Sequence, residues 1–451
     1  MKKICFIAQF PPPMHGLSKA VETLYNSNLN LEIDPHGEFK FEKVDITNNK
    51  NFAKNLLKIS RSKADLFYFT ISQTKGGNLR DLVIFKLLEL QHKKCLIHLH
   101  GGYYRQLVDN DMAGWQRKAN YKAIKKLSGV IVLSKSLKKI FEGMIDDDRI
   151  FVVENCVDDQ YLLTDQEIEE KLKSLESKKV LHVLWLSNFI RSKGYPFVLE
   201  MAKAEKERVD AGGEKRFHFD FAGKFFEDSE KDYFKSYIKE NGLEEYVTYH
   251  GIVGGEQKRE LLKKCYLFAL PTRYPNEGQP ISILEAMGNG MFIITTDHAG
   301  IPDIVEDGVN GIVMKNKENA YSKVASFKAN ELKTVCKRNR EYCKEMYTEK
   351  RYLHMMETRF KENCGEKISN KEKPSGSNID FSCRNYRFFR FGTNRCIREY
   401  SGKNRLCGHY IRSSFYHSAI SSQERVGHFS HIHDHVLLVL FRTMYINCIW
   451  I

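Results

Sequence analysis

The chain has 451 residues, more than one ordinary core encloses, and at roughly 150 residues per domain it points to two or three domains. With 42% hydrophobic and 28% charged residues and a mean hydropathy of −0.46, it falls outside the disordered and polytopic-membrane classes and is expected to be soluble and globular. Its formal charge of +14 is unevenly placed: residues 1–165 carry +6, 166–374 carry +2 and 375–451 carry +6.

Lys outnumbers Arg up to residue 374 and Arg outnumbers Lys beyond it, which marks a boundary near Pro374. The 11 cysteines contain no C-x-x-C spacing and suit unpaired thiols in a reducing cytoplasm. MKKICFIAQFPPP has too short an apolar run for a signal peptide. The terminal run HVLLVLFRTMYINCIWI is interrupted by Arg442 and falls short of the ~18–20 apolar residues a membrane span needs.

In chain order, the runs at 2–10, 65–72, 94–100, 129–134 and 149–155 predict buried parallel strands, with helical patterns such as 79–93 between several of them. A second set follows at 182–188, 218–223, 246–252, 265–271, 292–297 and 311–314. Two successive α/β sets predict two doubly wound domains, joined by the charged segment 164–179, expected to be a solvated interdomain helix. Ligands bind beyond the carboxyl ends of such strands, so the loops that follow strands are where chemistry is sought.

The first of these loops, PPPMHGLSK, brings Gly16 and Ser18 to a helix start. That is either a phosphate cradle or a proline-rich turn with an ordinary Ser cap. HLHGG places His98 and His100 on one strand face ahead of two glycines, as sugar or phosphate ligands or as packed strand-end histidines. FAKNLLKISRSK (52–63) and WQRKANYKAIKKL (115–127) draw as helices with one basic face. Each could rest on an anionic bilayer or simply be solvated outside and packed inside.

DND (109–111) and DDD (146–148) are read as loop or cap carboxylates. In 184–203 a strand leads to Arg191, Lys193 and Gly194 before a helix. The two cations could hold a diphosphate or be solvated surface charges. In 270–314, Glu277 and Gly278 lie in a loop, Pro280 opens a helix, and Ile281, Ile283, Leu284 and Met287 form its buried face. Glu285 sits on that same helix, eight residues from Glu277. Two carboxylates so placed can accept hydrogen bonds from hydroxyls on different parts of one extended ligand.

This last segment resembles the E-x7-E signature of the retaining nucleotide-sugar glycosyltransferases of family 4, which have the GT-B fold. PPPMHGLS, HLHGG, VLSKSLKKIF, VENCVDDQY, SKG, FAGK and VTYHGIV follow that family's landmarks in order, so the resemblance covers roughly residues 1 to 362. It implies two facing Rossmann-like domains around a donor cleft. Residues 1–165 would take the acceptor side, residues 166–362 the nucleotide sugar together with a closing helix (348–360) that returns toward the first domain, and 363–451 would be a linker and irregular tail.

The resemblance further implies a metal-independent, hexosyltransferase-type enzyme with no cofactor, working at the inner face of the membrane or in the cytoplasm. Its implied task is to move sugar from a nucleotide-sugar donor to a saccharide acceptor, which is expected to be lipid-linked if the two basic helices rest on a membrane, for capsule, O-antigen or exopolysaccharide. An idle glycan-binding protein and a nucleotide-sugar epimerase are the alternatives, and nucleic acid is not an expected partner.

On the same resemblance Gly16 meets the donor phosphates, Lys193 the diphosphate, His100 the donor sugar, Glu277 its hydroxyls and Glu285 the ribose, with Gly278 and Ile283 also in the donor site. Where the family has Gly-Arg this chain has Ser187-Asn188, so Asn188 stands in the place of a phosphate-binding cation and Arg191 is the expected substitute. In the tail, His428, His431, His433 and His435 invite a metal reading, while the switch from Lys to Arg favours a non-native, out-of-frame origin.

Overall fold

The computed structural model describes residues 1–13, 16–315 and 320–365. The readings placed on the linker and tail from 366 onward lie outside the described residues.

Strands that are apolar on both faces need helices on both sides, and a parallel sheet provides that. β1 (Lys2–Ala8), β2 (Phe39–Asp45), β3 (Leu66–Thr70), β4 (Cys95–Leu99), β5 (Gly129–Val132) and β6 (Ile150–Val152) form one parallel sheet in the order β2-β1-β3-β4-β5-β6. β2 is the strand missing from the sequence reading. It lies at the sheet edge, burying Phe39, Phe41 and Val44 while Lys40 and Lys43 face water, which halves its apolar signal.

On one face of this sheet lie α2 (Phe52–Arg61), α3 (Lys75–Leu90) and α5 (Gly114–Lys125), through Ile59, Ile84, Phe85, Leu88 and Ile124. The single turn α4 (Tyr104–Gln106) precedes α5. α1 (Gly16–Tyr25) covers the other face with Val21 and Leu24.

The second half comprises α6 (Asp165–Ser174), β7 (Leu181–Leu186), α7 (Tyr195–Asp210), β8 (Phe217–Ala222), α8 (Asp228–Glu240), β9 (Val247–Tyr249), α9 (Gly255–Lys264), β10 (Leu267–Leu270), α10 (Ile281–Gly288), β11 (Phe292–Thr296), β12 (Gly311–Met314), α11 (Ala320–Ser326), α12 (Ala329–Met346) and α13 (Glu349–Cys364). Its strands are parallel in the order β12-β11-β10-β7-β8-β9.

The segment expected to be a solvated interdomain helix is α6, and the structure corrects that. Thr164 caps it in a reciprocal bond pair with Glu167, and Ile168, Leu172 and Leu175 enter the second core. Lys171 is buried with them and donates to the carbonyls of Leu262 and Asn289 at 2.7 and 2.8 Å.

α13 packs on the first sheet instead of the second, burying Tyr352, Met355, Met356 and Phe360 beside α1. The Phe360 ring lies 5.8 Å from Tyr68 and 6.1 Å from Phe6. Each such large side chain stabilises the join by roughly 1.5–3 kcal/mol. Among the described residues no helix is long and apolar enough to cross a membrane.

The strand orders locate the places where a ligand fits. Neighbouring connections diverge between β1 and β3 in the first sheet and between β7 and β10 in the second, and crevices open there beyond the strands' carboxyl ends.

Candidate active site

At the second crevice the loop after β7 must turn sharply into α7. Gly194 turns it with φ +86°, and an added Cβ would fall 2.3 Å from the Pro271 carbonyl oxygen at the end of β10. Gly194→Ala is therefore expected to cost more than the ~1–2 kcal/mol of left-handed backbone strain alone, measured as a lowered urea midpoint.

This turn delivers Lys193 to the loop after β10. Its ammonium meets Glu277 Oε2 at 2.5 Å and lies 4.4 Å from the Tyr274 ring centroid, and Thr272 Oγ1 donates to the same carboxylate oxygen at 3.3 Å. The two charged side chains keep only 15% and 10% of their surface exposed, so the pair stands in a water-poor setting.

Arg191 does not join them. It pairs with Glu230 of α8 at 3.3 Å and lies over Tyr233 at 4.3 Å, with 56% of its side chain exposed, so it is directed away from the Lys193–Glu277 pair. The Asn188 side chain is exposed, and only its carbonyl is engaged, by the Ile190 N–H at 2.9 Å. Ile283 is fully buried in the second core, as the helix pattern predicts, and does not line the cavity; Ile281, predicted on that same buried face, stands instead at the cavity wall. Arg191→Ala is accordingly expected to leave donor KM within about twofold, as a surface substitution away from the cleft should.

Two loops of the first half press on the Glu277 loop. A Cβ on Gly101 would fall 2.6 Å from Asn276 O, one on Gly102 2.5 Å from Glu277 O, and one on Gly278 2.7 Å from His100 O, so HGG and NEG approach backbone to backbone. Only glycine permits that. His100 stacks on His98 at 3.9 Å, and His98 Nδ1 bonds the Tyr68 hydroxyl at 2.8 Å. Burial and then the neighbouring His100 hold His98 well below the usual imidazole range, so it is a neutral, packed histidine. Asn155 to Gln279 (2.8 and 3.0 Å) and Ser136 to Asp303 (2.7 Å) complete the closure.

Beside this contact a cavity of about 300 Å³ opens between α1 and α10. Gly16 stands at its wall at the start of α1, where an added Cβ would lie 3.9 Å from Ile281. Glu285 lines it from α10, with its pKa raised by burial despite Lys258, whose ammonium is 2.6 Å away. Lys258 also lies 3.9 Å over the Tyr161 ring, and Lys19 reaches Asp158 at 3.0 Å on the same wall. Neither cation was legible in the sequence: Lys258 belongs to an ordinary charged helix, GEQKRELLKK, that carries no motif.

Outside the cleft, His182, His218 and Asp220 bring ligand-type atoms within 4.8 Å of one another. Asp220 already accepts from His182 (2.6 Å), His250 (2.7 Å) and Lys264 (3.1 Å), so both of its oxygens are engaged by protein donors. The acidic triplets are ion-paired on the surface, Asp109 to Arg105 at 2.6 Å and Asp147 to Lys138 at 2.9 Å.

Residues 165–346 match the family model described as glycosyl transferases group 1. A Klebsiella pneumoniae protein named as an uncharacterized 41.2 kDa protein in the cps region is 24% identical over 62% of this chain and 73% of its own length. The amylovoran biosynthesis glycosyltransferase AmsK of Erwinia amylovora is 26% identical over 35% of this chain and 38% of its own. Among solved structures, Anabaena HepE in complex with UDP and glucose superposes with a TM-score of 0.59 at 16% identity, covering 80% of this chain and all of that one, a likeness of fold. With two parallel sheets of the GT-B fold and a match to the group 1 glycosyl transferases over residues 165–346, the chain is a glycosyltransferase.

Proposed function

We propose that the protein transfers a sugar from a nucleotide-diphosphate sugar to a lipid-linked saccharide acceptor, with retention of configuration, during assembly of a cell-surface polysaccharide. The observation that carries this reading is the buried pairing of Lys193 with Glu277 in the loops that follow β7 and β10, together with a cavity between α1 and α10 that Gly16, Lys258 and Glu285 line. The names of the relatives from a cps region and from amylovoran biosynthesis support the polysaccharide context.

In this scheme the donor diphosphate lies between Lys193 and the amino end of α1 at Gly16, whose free N–H groups favour negative charge. As the glycosidic bond breaks, charge accumulates on the leaving diphosphate, and a fixed ammonium in a water-poor site stabilises it without reorganising. Glu277 exchanges its bond to Lys193 for the donor sugar's hydroxyls, and His100 approaches the sugar from the opposing loop. Glu285, freed from Lys258, accepts from the ribose hydroxyls.

Lys258 supplies the second positive charge that Asn188 lacks and Arg191 does not provide. No metal ion, cofactor or covalent nucleophile enters the scheme. Attack comes from the acceptor on the face the diphosphate leaves, and the acceptor is presented at the cytoplasmic face of the membrane.

A thermal-shift and turnover panel of nucleotide sugars on the full chain tests the reading. One donor should stabilise the protein and be consumed faster with a saccharide-lipid acceptor than with water, giving a product of unchanged anomeric configuration. Stabilisation by no nucleotide sugar would sink the proposal. Consumption that yields only an isomerised free sugar would make the protein an epimerase.

A further inference from the structure

α2, α3 and α5 form one layer, tied by Gln91 of the turn after α3 to the Ser60 carbonyl (3.1 Å) and by Asn78 to Asn120 (2.8 Å). One side of the layer covers the first sheet. The other side is outward, and its composition is unusual for a merely solvated surface.

On α2, Lys54, Lys58 and Arg61 follow the spacing i, i+4, i+7, with Leu57 among them 55% exposed. On α5, Trp115, Lys118, Lys122 and Lys125 share one face, and Trp115 is 54% exposed. Those six cations make no ion pair among the described residues; of the two acids on the three helices, Asp81 is buried and the half-buried Glu89 is held by Lys86 and Lys126. Between the two basic helices α3 presents half-buried Val83 and Leu87, and Leu90, which is 65% exposed.

We propose that this layer docks on an anionic bilayer, with the cations of α2 and α5 among the headgroups and Leu57, Leu90 and Trp115 entering the interface. Cations flanking an apolar strip, with an exposed Trp, match the chemistry of a charged lipid surface. A nucleic acid would use the cations and leave Leu57 and Leu90 without a role. The three helices begin at the carboxyl ends of their strands, the same end as the His100–Gly102 loop, so Trp115 lies toward the cleft. Docking here would hold the cleft mouth beside a lipid-borne acceptor. That purpose rests on the transferase reading, but the surface does not.

The test is cosedimentation of the full chain with phosphatidylcholine vesicles, with and without about 30% phosphatidylglycerol, at about 0.05 M and 0.5 M salt. Binding should require the anionic lipid, be released by salt, and shift tryptophan emission to the blue in a way lost in Trp115→Phe. Lys54→Glu with Lys58→Glu, and Lys118→Glu with Lys122→Glu, should each weaken it about tenfold while circular dichroism and turnover of a soluble donor stay as in the parent.

Absence of binding, equal binding to neutral vesicles, or undiminished binding by both charge-reversed proteins would overturn the proposal. So would binding of single-stranded RNA, lost in the same variants, without binding of vesicles. Donor turnover on the same samples reports on the transferase reading separately.

Discussion

Lys193→Met is expected to lower kcat/KM for transfer by about 10²–10³-fold, the loss typical of removing one preorganised group that stabilises developing charge. Methionine keeps an unbranched stem against Tyr274, where the ammonium now lies 4.4 Å from the ring centroid, so the change removes charge more than packing. It also leaves Glu277, 10% exposed, with Thr272 as its remaining partner, at a cost that falls on the empty enzyme. Steady-state rates at saturating acceptor, together with calorimetric binding of the nucleoside diphosphate, separate these effects. Both kcat/KM and nucleoside diphosphate affinity should fall. A loss below about fivefold in kcat/KM would mean that the diphosphate is held elsewhere, since fivefold is the scale of a screened surface charge.

Glu277→Gln is expected to lower kcat about 10²-fold while nucleoside diphosphate affinity stays within about threefold, because its carboxylate is assigned to the sugar and not to the nucleotide. The amide keeps the shape and one acceptor oxygen but gives up the charge that favours an electron-poor sugar carbon and the second oxygen that grips a neighbouring hydroxyl. The loop itself should not move, since Gly278 is pinned by the backbone of His100 and Gly101. If the nucleoside diphosphate bound as poorly to Glu277→Gln as to Lys193→Met, the division of labour between the two residues would be wrong. Calorimetry on the two variants side by side decides it.

These two predictions also mark how far the residues could be read without the fold. Glu277, Lys193 and Gly16 could be singled out because each sits in a loop or at a helix start that follows an apolar run, and Glu285 because it lies on the next helix, eight residues from Glu277. Where Arg191 points was not legible, for a physical reason: two residues from Lys193, it projects to the other side of the turn, toward Glu230 and Tyr233 of α8, and spacing along the chain says nothing about α8. On α10 the predicted buried face held at Ile283 and failed at Ile281, because two positions along a helix point to different sides: Ile283 takes the core side and Ile281 the cavity side. Lys258 and Lys19 could not be found at all, since a lysine in a charged helix is indistinguishable from its neighbours until the fold buries it beside Glu285 or Asp158.

The sequence by itself determined the two α/β sets, most of their strands, and the loops that carry Glu277 and Lys193. Apolar runs and glycine positions are local properties, and burial on both faces leaves them little choice of structure. Only the tertiary structure decided what those residues do for one another. Strand order set the two crevices, the close approach of HGG to NEG joined the halves, and α13 returned to seal the first sheet. The +14 charge also took on a shape: in the first half its excess gathers on the outer side of one helix layer, because the inner side of α2, α3 and α5 had to bury apolar residues against the sheet.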